Sequence, residues 1–253
     1  LDIQTKGSIA EVIPSFRVIQ SKSLRLNIGF DTEFQENGDS RRVLSLQMSI
    51  ALGAVLIRYF FLVDPRYQVI TAESGGKIPL KYCLADILAD LKECYFGNFP
   101  LVLKKDIVYK EQKWKGHDPY KIVDFEAMQD LVIPVTIICH TGKADISVFR
   151  RSKYDVDLIR DLGEIQGGWM TTKNIRFKAE NDRNYNYYWI VNLAVRDTLG
   201  LTPADNKSLK ALGNVINRPK ITLPPDAINH MSAYAVDHPV EYYKYAMNDA
   251  DIV

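Results

Sequence analysis

Residues 24–30 place Leu24, Leu26, Ile28 and Phe30 at every second position, and this alternation runs directly into Asp31-Thr32-Glu33. In an extended strand residues i and i+2 share a face, so the pattern puts Asp31 and Glu33 on the same side of one pleat. Two more strand-like runs follow, residues 42–52 and 54–64, with Gly53 as the turn between them. Residues 24–64 therefore predict an antiparallel meander that carries two carboxylates at its centre.

Further acids recur in a fixed order. Asp145 lies just past a second apolar run, residues 132–139, and Asp249 follows Tyr245 by four positions near the C-terminus. At i, i+4 spacing Tyr245 and Asp249 fall on one helical face, whereas Asp251 points about 200° away from Asp249. Four carboxylates drawn from distant segments make chemical sense around cations. The chemistry that fits best is phosphodiester hydrolysis, in which two ions about 3.5–4 Å apart activate a water and stabilise the leaving oxygen. The short patterns alone are not specific, because Asp124-Phe125-Glu126, Tyr82/Asp86 and Tyr120/Asp124 repeat them. Those copies lack the preceding meander or fall before Asp145, so order and setting carry the signal.

Composition bounds the answer. With 253 residues, 47% of them hydrophobic, the chain buries one substantial core as one large or two small domains. Neither a signal peptide nor an apolar run of the ~18 residues that span a membrane is present, which predicts a soluble, cytoplasmic protein that is not secreted. Cys83, Cys94 and Cys139 make no CxxC pair. On a helix over residues 80–96, Cys83 and Cys94 stand ~16 Å apart along the axis, so reduced, buried thiols are expected. The four histidines show no ligand spacing. A net charge of +1 is low for a nucleic-acid binder, although an acidic site cancels part of the basic residues.

Taken together, Asp31-Thr32-Glu33, His140-Thr141-Gly142-Lys143-Ala144-Asp145 and Tyr245-Ala246-Met247-Asn248-Asp249 resemble the three exonuclease motifs of the DEDD superfamily, tyrosine-bearing branch. Within that branch they look like the proofreading domains of family B DNA polymerases, especially protein-primed and related mobile-element enzymes. Ser208-Leu209-Lys210-Ala211-Leu212 and Lys220-Ile221-Thr222-Leu223 are similar to two further segments of that group. The resemblance covers residues 24–253; residues 1–23 form a flanking segment without a motif. Ala144 stands where the family often has Phe or Tyr, and Thr141 where it often has Asn.

The resemblance implies an α/β fold with a ribonuclease H-like mixed sheet, flanking helices and a β-hairpin insertion. It implies 3′→5′ removal of nucleotides from the 3′ end of single-stranded DNA with two Mg2+ or Mn2+ ions. Asp31, Glu33, Asp145 and Asp249 would hold the metals, and Tyr245 would orient the attacking water. Phe34, Thr141, Ser208, Leu209 and Lys220 would contact the strand. The start at Leu1 and the stop four residues after Asp249 are read as a piece of a longer polypeptide with a covalently linked polymerase module.

Other segments carry weaker expectations. Residues 169–179 and 185–195 read as two β-rich arms around a polar turn, in which Tyr185, Tyr187, Tyr188 and Trp189 either stack on bases or, as strand propensity favours, pack a sheet. Residues 104–130, around Trp114, read as a solvated insertion. His140 is expected to hydrogen-bond locally, and Lys143 to be a surface residue of a helix over residues 142–151. Two rivals share the motifs: a free-standing ribonuclease D-like exoribonuclease, and a non-catalytic scaffold that binds nucleic acid.

Overall fold

A computed structural model describes residues 25–52, 55–71, 75–94, 102–113, 116, 118–150, 161–165, 167–179, 187–202 and 206–253. The flanking segment 1–23, Gly53, Trp114 and the polar turn with Tyr185 lie outside the described residues.

Three strands come first, β1 (Leu26–Asn37), β2 (Ser40–Leu52) and β3 (Val55–Leu62), then a one-turn helix α1 (Pro65–Gln68) and a short strand β4 (Val69–Thr71). Helix α2 (Leu80–Cys94) leads to β5 (Val102–Leu103), β6 (Tyr109–Gln112), β7 (Tyr120–Val123) and the longer β8 (Val132–Cys139). After the short helix α3 (Lys143–Ile146) come β9 (Leu162–Ile165), β10 (Gly168–Thr171), β11 (Ile175–Ala179) and β12 (Tyr187–Asp197). Helices α4 (Leu209–Val215), α5 (Pro225–Asn229), α6 (Met231–Asp237) and α7 (Pro239–Ile252) complete the chain.

The main sheet has the order β11-β12-β8-β1-β2-β3, with β4 added on β2 and β5 on β12. The expected meander is present, since β1, β2 and β3 pair antiparallel in sequence. Strand β8 pairs parallel to β1, and β12 parallel to β8. The architecture is thus a mixed α/β sheet with flanking helices.

Register divides this sheet into two chemically different faces. Ile28 pairs with Ile50, Phe30 with Met48 and Thr32 with Leu46; this face meets α2 through Leu84, Ile87 and Leu91 and forms the main core. Burying each such side chain contributes about 1.5–3 kcal/mol. On the other face Gly29 pairs with Ser49, Asp31 with Gln47 and Glu33 with Ser45, a polar stripe that receives α7. Ser45 Oγ and the Tyr242 hydroxyl share a hydrogen bond of 2.5 Å, and Ser49 Oγ donates to Asp251 Oδ1 at 2.6 Å. Arg58 closes on the same Asp251 carboxylate at 2.6 Å. Asp251 thereby ties the end of α7 to β2 and β3.

A β-bulge after Glu33 leaves Leu44 without a partner between the Glu33–Ser45 and Phe34–Val43 pairs. The extra residue flips parity. Val43 stays in the main core, while Leu44 turns to the α7 side and packs with Leu223, Met231 and Tyr242.

Several expectations are corrected. The helix expected over residues 142–151 is only Lys143–Ile146, because Phe149 bridges to Ile78 and Arg150 N donates to the Ile78 carbonyl, which pulls the chain into extended form. The two expected β arms exist as β11 and β12, but they form the edge of the main sheet, and Trp169 belongs to a separate hairpin with β9. Trp189 is fully buried, so it packs the sheet. Part of residues 104–130 is core-forming: Ile107, Val123 and Met128 pack on Val102 and Ile190 beside the β6–β7 pair. Cys83 and Cys139 are buried free thiols, and burial pushes Cys83 up to about 12. Among the described residues no helix is long and apolar enough to cross a membrane.

Gly29 permits a very close approach of α7 to β1. A Cβ there would stand 2.1 Å from the Ala250 carbonyl oxygen of α7. Gly29→Ala should therefore push α7 off β1 and destabilise the chain by about 1–3 kcal/mol. Urea unfolding checks this, and an unchanged midpoint would contradict the tight seating of α7.

Candidate metal centre

Asp31 and Glu33 leave β1 toward α7, and the seating of α7 over Gly29 brings Asp249 onto them. Among the described residues these three carboxylates form a group in which one oxygen from each lies within 4.8 Å of the others. Asp145 stands beside the group without joining it. Its Oδ1 accepts a 2.6 Å hydrogen bond from Thr32 Oγ1, whose side chain leaves β1 on the opposite face, and it still acts electrostatically on Asp31. Of the four acids expected to converge, the structure brings Asp31, Glu33 and Asp249 into one cluster and leaves Asp145 outside it.

Such crowding disfavours ionisation. Burial first, and then the charges of Asp145, Glu33 and Asp249, raise Asp31 well above the ordinary carboxylate range. Burial and Asp249 push Glu33 up to about 8, against the pull of Lys220. Asp145 is raised to about 7 by burial, with the Thr32 hydroxyl opposing and Asp197 reinforcing the shift. Burial likewise raises Asp249, and Lys220 counteracts it. The Lys220 ammonium donates to Asp249 Oδ2 and lies 5.5 Å from the centroid of the Tyr245 ring. The other oxygen of Asp249 is buried with no hydrogen-bond partner. An orphaned carboxylate oxygen within an all-oxygen donor set fits a hard divalent cation such as Mg2+ or Mn2+.

The remaining sequence candidates take varied places. Tyr245 lies one turn before Asp249, and burial together with Glu33 and Asp249 raises its phenol strongly. Ser208 caps α4 by accepting from Ala211 N at 3.2 Å, and Leu209 packs with Leu212 and Ile252 beneath the end of α7. Phe34 is half-buried against the core, with the Arg41 guanidinium 5.3 Å from its ring. Thr141 is exposed and adopts a left-handed backbone, φ 57°. His140, expected to bond locally, instead bridges distant segments, Thr198 Oγ1 at 3.0 Å and the Lys207 carbonyl at 3.1 Å, and the carbonyl places its proton on Nε2.

Four residues that organise the site went unrecognised in the sequence. Asn248 accepts from Ile221 N at 2.8 Å and donates to the Pro219 carbonyl at 3.4 Å, clamping the segment that presents Lys220. Asp197, at the end of β12, accepts from the backbone N–H groups of Thr141, Gly142, Trp169 and Leu199 at 2.9–3.1 Å. It thereby fixes the loop before Asp145. Gln47, fully buried opposite Asp31, donates to Ser45 Oγ at 2.6 Å and extends that bond toward Tyr242. Asn248 sat in view inside the third motif, but Asp197, Gln47 and Ser45 carried no spacing signal.

Fold and site together define an α/β protein with a largely buried cluster of three carboxylates close enough to share a cation. No family model matches the chain, and no solved structure does. Among curated proteins the chain is similar to the primer-independent DNA polymerase PolB of Escherichia coli, with 25% identity over 249 residues. That similarity covers 92% of this chain and 24% of the polymerase, so the chain spans about a quarter of the relative's length.

The raised carboxyls make a pH prediction. Glu33 and Asp145 bind protons in the folded chain up to about pH 8 and 7, whereas unfolded they release them near the ordinary 4.5 and 3.8. Their stabilising protons are fully present below the unfolded values and lost as pH rises through the folded ones. Without divalent cations, the melting temperature should fall between about pH 5 and about pH 8.5. Mg2+ or Mn2+ should restore it more at the higher pH, where the ligands are already deprotonated. Thermal melts with and without cation test this, and equal cation effects at both pH values would contradict it.

Proposed function

We propose that this chain is a 3′→5′ exonuclease of the proofreading type, removing nucleotides from single-stranded DNA 3′ ends. The observation that carries the reading is the convergence of Asp31, Glu33 and Asp249 within 4.8 Å around an unpartnered buried oxygen. The similarity to PolB supports DNA as the substrate and a linked polymerase module as the setting. The antiparallel β3-β2-β1 meander continued by parallel β8 and β12 supports a ribonuclease H-like account of the fold.

In this reading Asp31, Glu33 and Asp249 would hold one Mg2+ or Mn2+ ion, and Asp145 would help to hold a second. Bound there, the ions supply an activated water and stabilise the leaving oxygen. The chain's own residues do the rest. Tyr245, whose phenol is raised by burial and by the charges of Glu33 and Asp249, would orient the water through its hydroxyl. Thr32 holds Asp145 in one rotamer. Lys220 donates to Asp249, and from a segment held by Asn248 its ammonium would also meet the scissile phosphate.

The test is direct. The purified chain with Mg2+ or Mn2+ should shorten 5′-labelled single-stranded DNA stepwise from its 3′ end, and chelation should stop it. Asp31→Ala combined with Glu33→Ala should abolish cleavage. Tyr245→Phe and Lys220→Ala should each slow it by about 10- to 100-fold, the usual cost of losing a group that supports the metal ligands. RNA degraded as fast as DNA would favour the exoribonuclease instead, and no cleavage with any divalent ion would favour a binding scaffold.

A further inference from the structure

A cavity of about 430 Å³ opens beside the short helix that carries Asp145, lined by Arg41, Thr141, Lys143, Ala144, Ser147, Leu162 and Trp169. Its size falls within the roughly 300–1,000 Å³ of small-molecule sites. Two cations, two hydroxyls and an indole line it, and among the described residues no acid does. The walls are fastened to each other by one carboxylate: Asp197 accepts from Thr141 N and Gly142 N on one side and from Trp169 N on the other. Gly142 keeps that junction tight, since a Cβ there would stand 2.1 Å from Cys139 Sγ. Arg41 is held in place from below by Phe34, with its Nε 3.0 Å from a Glu36 carboxylate oxygen. The Lys143 ammonium lies 5.1 Å from the Trp169 ring centroid.

The geometry points to this cavity as a subsite for one nucleotide of a single DNA strand, with the base stacked on Trp169 and its phosphate taken by Lys143 and Arg41. An aromatic face accepts any base, and stacking of this kind tolerates sequence. A phosphate offers Lys143 a charge-assisted contact that is stronger than its hold on an indole face, so the ammonium moves to the anion when a strand arrives. Ala144 leaves space beside the indole where a larger side chain would fill the cavity. Ala144 immediately precedes Asp145 and Thr141 lies four residues before it, so the cavity borders the loop that carries that carboxylate. The inference rests on the exonuclease reading, and it names the residues that grip the substrate.

Binding of a fluorescein-labelled oligothymidylate in EDTA, where cleavage cannot occur, separates the two. Trp169→Ala should weaken binding by about tenfold or more, the typical cost of removing one stacking aromatic, and Trp169→Phe should recover part of it. Lys143→Gln should weaken binding and lower the salt slope by about one. With Mg2+, both substitutions should raise KM more than they lower kcat. Quenching of tryptophan fluorescence by the oligonucleotide should disappear in Trp169→Phe, a readout that needs no destabilising change. Free thymidine monophosphate should compete weakly; competition as strong as that of the oligonucleotide would overturn the strand assignment in favour of a product site. If the wild type cleaves DNA while Trp169→Phe keeps full quenching and Lys143→Gln binds normally, the subsite is wrong and the exonuclease stands. If the wild type cleaves nothing but these variants lose binding, the subsite stands and the nuclease reading falls.

Discussion

Three carboxylates pressed within 4.8 Å of one another in a partly desolvated cleft repel, and the rest of the structure is arranged to tolerate that repulsion. Charges so close interact strongly at the reduced effective dielectric of a protein. Two kinds of counter-charge are available. Protons are one: burial first, and for Asp31 and Glu33 the neighbouring carboxylates as well, raise these groups toward the protonated form, while burial alone raises Asp249. Cations are the other: Lys220 supplies one from the chain itself, and a divalent ion would supply more. A carboxylate group that favours protons at neutral pH is also one that gains most from a metal, since the ion removes the same repulsion.

Holding the acids in that position falls to the sheet and α7. The polar face formed by Ser45, Gln47 and Ser49 would be a poor hydrophobic surface, yet each residue finds a role: Ser45 meets Tyr242, Ser49 meets Asp251, and Gln47 links to Ser45. Gly29 removes the one side chain that would lift α7 away. The bulge turns Leu44 onto the same side and gives α7 an apolar anchor next to Tyr242 and Met231. The opposite face of the same strands is almost wholly apolar and carries the stabilising core. Stability and chemistry are thus separated by pleat parity within β1 and β2.

Asp197 plays the corresponding part for the loop that bears Asp145. A single carboxylate accepting four backbone N–H groups fixes a turn containing the left-handed Thr141 and joins it to the β9–β10 hairpin. Electrostatic influence from Asp197 reaches Asp145 as well. The organiser of the loop therefore also adds to the charge that the site must balance.

Local periodicity determined much of this. Alternation over residues 24–30 specified β1 and the shared side of Asp31 and Glu33, the apolar run specified β8, and i, i+4 spacing specified the common face of Tyr245 and Asp249 on α7. Such features depend on neighbours within a few residues, which is what a sequence displays. What needed the tertiary structure were contacts between distant segments. The short α3 yields to a bridge with Ile78; Trp169 leaves the β11 arm for another hairpin; Asp145 is drawn to Thr32 beside the cluster; and Asp197, Asn248 and Gly29 gain their roles only when other elements arrive. A hydrogen bond or a close approach across a hundred residues leaves no period in the chain, so the sequence named the acids and only the fold decided how near to one another they stand.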